Sequence, residues 1–208
     1  MIELHHLNNS RSQQILWLLE ELALPYELVN YQRNAQTNLA PDELKQIHPL
    51  GKSPVIRDDG RIVIESGAII EYIVRRYGNG RLAPAESSPE WPRHLQLMHY
   101  GEGSAMLPIM MKVYLSRLGE AGKPLEPRVT AEIENHFGFL ESELGSQPYF
   151  RGAELSAVDV HLSFPIQLCK LLHGIGKYPA LAGFLERIHA RPAYRRAIER
   201  GGAYAYGS

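Results

Sequence analysis

The stretch His48–Ile70, HPLGKSPVIRDDGRIVIESGAII, constrains this chain more than any other. It reads as loop, strand, two-residue turn, strand and helix. Ser53-Pro54 leads into Val55-Ile56-Arg57, Asp59-Gly60 is a short-hairpin signal, and Arg61 to Ile64 is the return strand. Glu65-Ser66 then opens a helix whose apolar residues fall at Ile69, Ile70, Ile73, Val74 and Tyr77. Pro at the start of a strand is sterically permitted, since its missing N–H costs nothing before the ladder begins. A cis Pro54 would leave the backbone of Val55 open to an extended partner. An open strand start, a helix N-terminus at Ser66 and the cation Lys52 together suit a small peptide with a carboxylate at each end.

The residues before this stretch alternate in type. Ile2 to Leu7 is a short apolar strand, and Asn8 to Ser12 is a polar loop rich in N-cap residues. A helix follows from Gln13, with Ile15, Leu16, Leu18, Leu19 and Leu22 buried and Glu20 and Glu21 on the wet side. Pro25 ends it, Tyr26 to Asn30 is a second strand, and a crossover of this length implies that the two strands are parallel. Pro41 opens a short helix over Asp42 to Ile47. The expected order over residues 1–78 is thus β-α-β-α-β-β-α.

Three Pro, two Gly and two Ser between Gly78 and Pro92 mark a linker, placed at residues 79–92. Beyond it no strand alternation is found. Helices are expected over Arg93 to Leu118 with a bend near Pro108, Arg128 to Leu144, Ser156 to Leu172 with a kink at Pro165, Pro179 to Ala190 and Pro192 to Arg200. Residues 93–208 therefore read as an all-helical domain. At 208 residues, 44% apolar and 22% charged, the chain can bury a proper core. A net charge of −1 gives no global argument for nucleic acid or an acidic membrane. The single Cys169 excludes an internal disulfide framework. With no signal-peptide pattern and no apolar run of membrane-spanning length, the expectation is a cytoplasmic protein without membrane or nucleic-acid partners.

The arrangement resembles the cytosolic glutathione S-transferase family along nearly the whole chain. The most specific likeness is His48-Pro-Leu-Gly-Lys-Ser-Pro-Val55 followed by Glu65-Ser66, which is similar to the family's strand-start proline and Glu-Ser glutathione clamp. Ser156-Ala-Val-Asp159 is similar to the helix-capping Ser-x-x-Asp of its helical domain. The chain looks most like the fungal and bacterial branch with Ser-Arg at the start of the first helix. The resemblance implies an α/β thioredoxin-like N-terminal domain, an all-α C-terminal domain and a homodimer.

It also implies a site. Glutathione, the co-substrate, would lie along Lys52, Ser53, Pro54, Val55, Glu65 and Ser66. Val55 would pair through its backbone with the cysteinyl unit, Glu65 and Ser66 would hold the γ-glutamyl end, and Lys52 would neutralise the glycine carboxylate. Sulfur activation falls to the Asn8–Ser12 loop, with Ser10 as the catalytic hydroxyl, Asn9 as an amide donor and Arg11 as a charge partner. An ordinary N-cap is the competing role for Ser10. Glu102, Met106, Met110 and Tyr114 recur every four residues and suit either core or the pocket for a small hydrophobic electrophile. Tyr204-Ala205-Tyr206 would cover that pocket or fray.

Other features read as structure. Ser156 and Asp159 cap a buried helix start, Cys169 sits among leucines as an inert thiol, and Asp58-Asp59 is turn chemistry. The nine His form no ligand spacing, so no metal is expected. The expected function is conjugation of the glutathione thiolate to small apolar electrophiles, with glutathione-dependent peroxidase activity beside it. The alternatives are a glutathione- or partner-binding module with little turnover, and a glutathione-dependent isomerase or dehalogenase, which the missing Ser-Ser-Cys run disfavours.

Overall fold

In the computed structural model, which describes residues 1–207, strand β1 (Ile2–Leu7) runs parallel to β2 (Tyr26–Tyr31), with Ile2 opposite Tyr26. Helix α1 (Ser12–Glu21) makes the crossover. β3 (Val55–Asp58) is antiparallel to both β1 and β4 (Arg61–Ile64), giving the strand order β2-β1-β3-β4. Asp59 and Gly60 both take positive φ, as a two-residue turn between right-twisted strands requires. A short α2 (Leu44–Ile47) precedes the Pro54 loop, and α3 (Ser66–Tyr77) follows β4. The thioredoxin-like α/β domain is thus as the sequence pattern predicts.

Asp58 is more than turn chemistry. It is fully buried and accepts from the hydroxyls of Tyr72 (2.8 Å) and Tyr77 (2.5 Å), which pins α3 to the hairpin. Only Asp59 occupies the turn.

The remaining helices are α4 (Trp91–Tyr100), α5 (Met106–Leu118), α6 (Glu126–Leu144), α7 (Ala157–Leu172), α8 (Pro179–His189) and α9 (Pro192–Gly201). The break in the first long helix lies at a π-helical turn, Gly101–Ala105, and not at Pro108. Gly101 packs so closely on the His161 ring that a Cβ there would come within 2.6 Å of it, so the backbone is held at that point. Every residue of α7 from Ala157 to Cys169 is buried, and this helix is the core of its unit.

The chain divides into two compact units, Pro84–Ile188 and a first unit in which Met1–Ala83 is joined by the residues from His189 onward. The helical domain expected over 93–208 therefore loses its last helix to the first unit. The reason lies on α1. Glu20 and Glu21, read as its wet side, face α9: Arg191 makes a two-pronged ion pair with Glu21, and Arg196 and Arg200 reach Glu20. Trp17, fully buried, meets Tyr194 edge-on at 5.4 Å.

Candidate functional site

Strand register brings the candidate residues to one end of the sheet. Val55 stands opposite His5 of β1 and Ile64 of β4. The segments just beyond that row are the Asn8–Arg11 loop, Ser53-Pro54 and Glu65-Ser66, so all three emerge at the same edge. The Ser53-Pro54 bond is cis. Ser53 Oγ donates to the His5 carbonyl at 2.9 Å, tying this loop to β1.

The open backbone belongs to Ser53, and the expectation for Val55 is corrected accordingly. Val55 lies between two paired strands and is buried. Among the described residues, neither the N–H nor the C=O of Ser53 makes a backbone hydrogen bond. Lys52 is exposed and forms no ion pair among the described residues. Glu65 holds a left-handed φ of 68°, a costly conformation for a residue with a Cβ, and its carboxylate is exposed. No side chain caps α3, whose first bond within the helix is Ile69 N–H to the Glu65 carbonyl. Among the described residues, the N–H groups of Ser66, Gly67 and Ala68 therefore have no partner, beside the buried Ser66 side chain.

The loop after β1 is arranged differently from expectation. Ser10 is only 4% exposed, and its hydroxyl joins a buried chain: Ser10 Oγ to Ser12 Oγ at 2.8 Å, and Ser12 Oγ to His6 Nδ1 at 2.9 Å. His6 Nε2 lies 3.2 Å from the Gly201 carbonyl. That carbonyl can only accept, so Nε2 carries the proton. Burial pushes the imidazole below its ordinary pKa, so the ring is neutral and Nδ1 must accept. The Ser12 hydroxyl therefore donates to His6, with the Leu7 carbonyl at 3.2 Å as a second acceptor for the same proton, and the Ser10 proton goes to Ser12. Ser10 Oγ also accepts from Ser12 N–H at 3.1 Å. Its one proton is committed inward, which corrects the assignment of Ser10 as the sulfur-facing hydroxyl.

Asn9 takes a φ of 48°, tolerated by its short polar side chain. Arg33 holds the loop from behind. Its Nε donates to the Asn8 carbonyl (3.1 Å), one Nη to the Asn9 carbonyl (3.1 Å), and its own N–H to Asn8 Oδ1 (2.8 Å). In a trans peptide the N–H points opposite to the C=O. With the Asn8 and Asn9 carbonyls drawn to Arg33, the N–H groups of Asn9 and Ser10 face the other way, and neither has a partner among the described residues. Arg11 sits at the N-cap of α1. Arg33 was not legible as a site residue: its position after β2 carries no motif, and only the parallel pairing of β1 and β2 brings it behind the loop.

The four residues proposed for an electrophile pocket do not form one face. Met106 is buried in the core of the second unit, Glu102 and Met110 are half-buried, and Tyr114 is 57% exposed. A repeat of four drifts by about 40° per step against 3.6 residues per turn, so the row winds from core to solvent. Tyr114 instead aligns with the exposed Leu107, Met111 and Leu118, whose spacing follows the true helical period. Cys169 is buried, and burial pushes its thiol up to about 12, so it is inert. Ser156 and Asp159 form the expected reciprocal cap. Among the described residues no group of three or more His, Cys, Asp or Glu could hold a metal ion, and no helix is long and apolar enough to cross a membrane.

The family description of the glutathione S-transferase N-terminal domain matches residues 1–75, and that of its C-terminal domain matches residues 97–192. The chain belongs to the glutathione S-transferase family. Glutathione S-transferase 3 of Schizosaccharomyces pombe is 34% identical over 215 residues, covering 96% of this chain and 88% of its own. Glutathione S-transferase 1 of Saccharomyces cerevisiae is 31% identical over 226 residues, covering 98% and 96%. A glutathione S-transferase from Actinobacillus pleuropneumoniae superposes with a TM-score of 0.90 at 33% identity, covering 99% of this chain and 95% of that one. A family member from Pseudomonas fluorescens, solved with two glutathione bound, gives 0.81 at 26% identity, with coverage of 95% and 92%.

Proposed function

We propose that this glutathione transferase binds glutathione across the sheet end and conjugates its thiolate to small apolar electrophiles. One observation carries the reading: unsatisfied donors of three segments, Ser53, the start of α3 and the Asn9–Ser10 turn, converge at one edge of the sheet. The Ser53 backbone pairs with the cysteinyl unit, next to the cis Pro54 and the buried Val55. The open N–H groups of α3 with Ser66 take the γ-glutamyl carboxylate, and Glu65 faces its ammonium. Lys52 meets the glycine carboxylate.

A free thiol with a pKa near ~8.5 is mainly protonated at neutral pH, so the site must favour the anion. The donors for sulfur are the Asn9 amide N–H, the N–H groups of Asn9 and Ser10, and the Arg11 guanidinium at the N-terminal end of α1. They stabilise the thiolate without acting as a base. Attack on the electrophile then forms the carbon–sulfur bond as a leaving group departs with its bonding pair, or as the π pair of an activated double bond shifts to the neighbouring atom and is protonated from water, with proximity supplying the rest. Hydroperoxide reduction by the same thiolate, which takes the terminal oxygen as the alcohol leaves and then yields the disulfide and water with a second glutathione, a cytoplasmic location and a homodimer complete the proposal. The exposed apolar row Leu107, Met111, Tyr114 and Leu118 supports the dimer, as a face a second copy would cover.

Ser66→Ala and Glu65→Ala should each weaken glutathione binding tenfold or more while leaving the thermal midpoint nearly unchanged. The loss of a charge-assisted hydrogen bond is worth roughly 1.5–3 kcal/mol. Calorimetric titration with glutathione measures it, and wild-type affinity in both variants would remove the site from this edge. A second reading, a binding module with little turnover, draws on the committed proton of Ser10, which leaves sulfur without a side-chain hydroxyl in this loop. Glutathione binding without turnover across a panel of electrophiles and hydroperoxides would select it.

A further inference from the structure

The segment Tyr204–Tyr206 neither frays nor stands apart from the site, for it runs back onto the loop that carries Asn9. Ala205 N–H lies 2.8 Å from Asn9 Oδ1, and the Tyr206 hydroxyl approaches the Asn9 carbonyl at 3.5 Å. Tyr204 and Tyr206 meet edge-on at 5.2 Å. A backbone N–H can only donate, so the atom it meets must be the amide oxygen. The amide of Asn9 therefore has one orientation: Oδ1 is turned toward Ala205, and Nδ2, with both its protons, is turned the other way. Among the described residues Nδ2 has no hydrogen-bond partner.

Without that contact the Asn9 side chain has no fixed sense. An amide beside a thiolate is productive in one orientation and repulsive in the other, because the flip replaces two donors with an acceptor. Arg33 fixes the backbone of the loop but touches no atom of the Asn9 amide. Ser10, Ser12 and His6 form a closed chain ending on the Gly201 carbonyl. Gly201 itself is pressed against Gln13 and His6, where a Cβ would lie 2.5 Å from Gln13 Oε1 and 3.1 Å from His6 Nε2. The segment thus leaves α9 from a point already fixed to the catalytic loop. Its path to Asn9 is short and anchored at both ends.

We infer that Ala205 is a positioning residue for sulfur activation: its backbone N–H holds the Asn9 amide so that Nδ2 is presented to the glutathione thiolate. This rests on the reading of Asn9 as a sulfur donor. The segment is then part of the catalytic loop's support, supplied by residues far away in sequence.

The test titrates the thiolate absorbance of bound glutathione against pH in variants of the intact chain, beside kcat and KM at pH 7. Ala205→Pro deletes the donor and Ala205→Gly keeps it. Ala205→Pro should raise the apparent thiol pKa by about one unit and lower kcat at neutral pH toward tenfold, with the glutathione KM nearly unchanged. Ala205→Gly should match the wild type. In an Asn9→Ala background, itself shifted upward, Ala205→Pro should add nothing, since the N–H acts only through that amide. An Ala205→Pro titration identical to wild type, alongside a shifted Asn9→Ala, overturns the positioning role and leaves the sulfur reading standing. An equal shift from Ala205→Pro in both backgrounds overturns it too. A silent Asn9→Ala overturns the sulfur role of Asn9 and this inference together, with glutathione affinity still reporting on the binding site. Should Ala205→Pro fail to fold, Tyr204→Ala decides by the same titration: it loosens the segment and should give a smaller shift of the same sign, and no shift overturns the inference.

Discussion

Ser10 has one proton to give, and the buried acceptor beside it takes that proton. Sequence alone gathers Ser10, Asn9 and Arg11 as candidates in one loop, because a polar turn between a strand and a helix is where donors gather. It does not divide the roles, since a hydroxyl's direction depends on which acceptors the fold presses against it. Here Ser12 and His6 claim Ser10, while the Asn9 amide stays available. Ser10→Ala should therefore leave the thiolate titration within a few tenths of a unit and cost about 1 kcal/mol of stability in urea, the worth of a buried hydrogen bond. Arg33→Ala should behave oppositely. Loss of its fork frees the Asn8 and Asn9 carbonyls, so the outward N–H groups lose their aim and kcat at pH 7 should fall by roughly tenfold. Arg33→Lys should not restore the rate, since an ammonium cannot hold two carbonyls in a fixed plane. A full rescue by lysine would show that charge alone matters there.

Two helix starts differ in how their first N–H groups are met. α7 is sealed by its own side chains: Asp159 accepts from the N–H groups of Phe150 (2.8 Å) and Ser156 (2.7 Å) and from the Ser156 hydroxyl (2.6 Å). α3 has no such cap, although Glu65-Ser66 reads in sequence as a cap just as well as Ser156-Ala-Val-Asp159 does. The difference is the strained Glu65 backbone, which turns its side chain to solvent. Burial pushes Asp159 up to about 6 from 3.8 despite its three donors, so the folded state holds that proton more tightly than the unfolded chain. This contribution is whole below the unfolded value and is lost as pH rises to about 6, a decline of up to roughly 3 kcal/mol for a shift of this size. Asp159→Asn cannot titrate, so its stability deficit against wild type should be largest near pH 4 and shrink by pH 6.5. Urea midpoints at the two pH values measure it, and a deficit that grows with pH would mean the carboxylate is the form the cap prefers. α5 carries the complementary lesson: the sequence reads a row of four-residue steps, whereas the helix obeys 3.6, and the exposed row is Leu107, Met111, Tyr114 and Leu118.

At the scale of the whole chain, α9 belongs with the first unit, far from it in sequence: it packs on α1 through Trp17, Tyr194 and the Glu20–Glu21 ion pairs. That packing carries Gly201 to His6 and Ala205 to Asn9. The Asn8–Ser12 loop is therefore supported from both ends of the chain, and no fragment lacking α9 contains the whole support. The exposed row on α5 should be covered in solution by a second copy. Sedimentation at micromolar concentration should give the mass of a dimer, and Leu107→Glu with Met111→Glu should shift it toward monomer. A wild-type monomer mass would overturn the homodimer.

The order of strands and helices, the Asp59-Gly60 hairpin, the Pro54 loop and the α7 cap were determined by the sequence, because each depends on contacts between residues close along the chain: periodicity, turn conformation and capping. Which backbone stays open, which hydroxyl is spent and which amide is free were decided by tertiary structure. β1 and β4 close on Val55 and leave Ser53 unpaired; His6 and Gly201 draw the Ser10 proton inward; Arg33 and Ala205 fix Asn9 from either side. These are partnerships between residues distant in sequence, and a donor's direction is known only once its acceptor has a place in space.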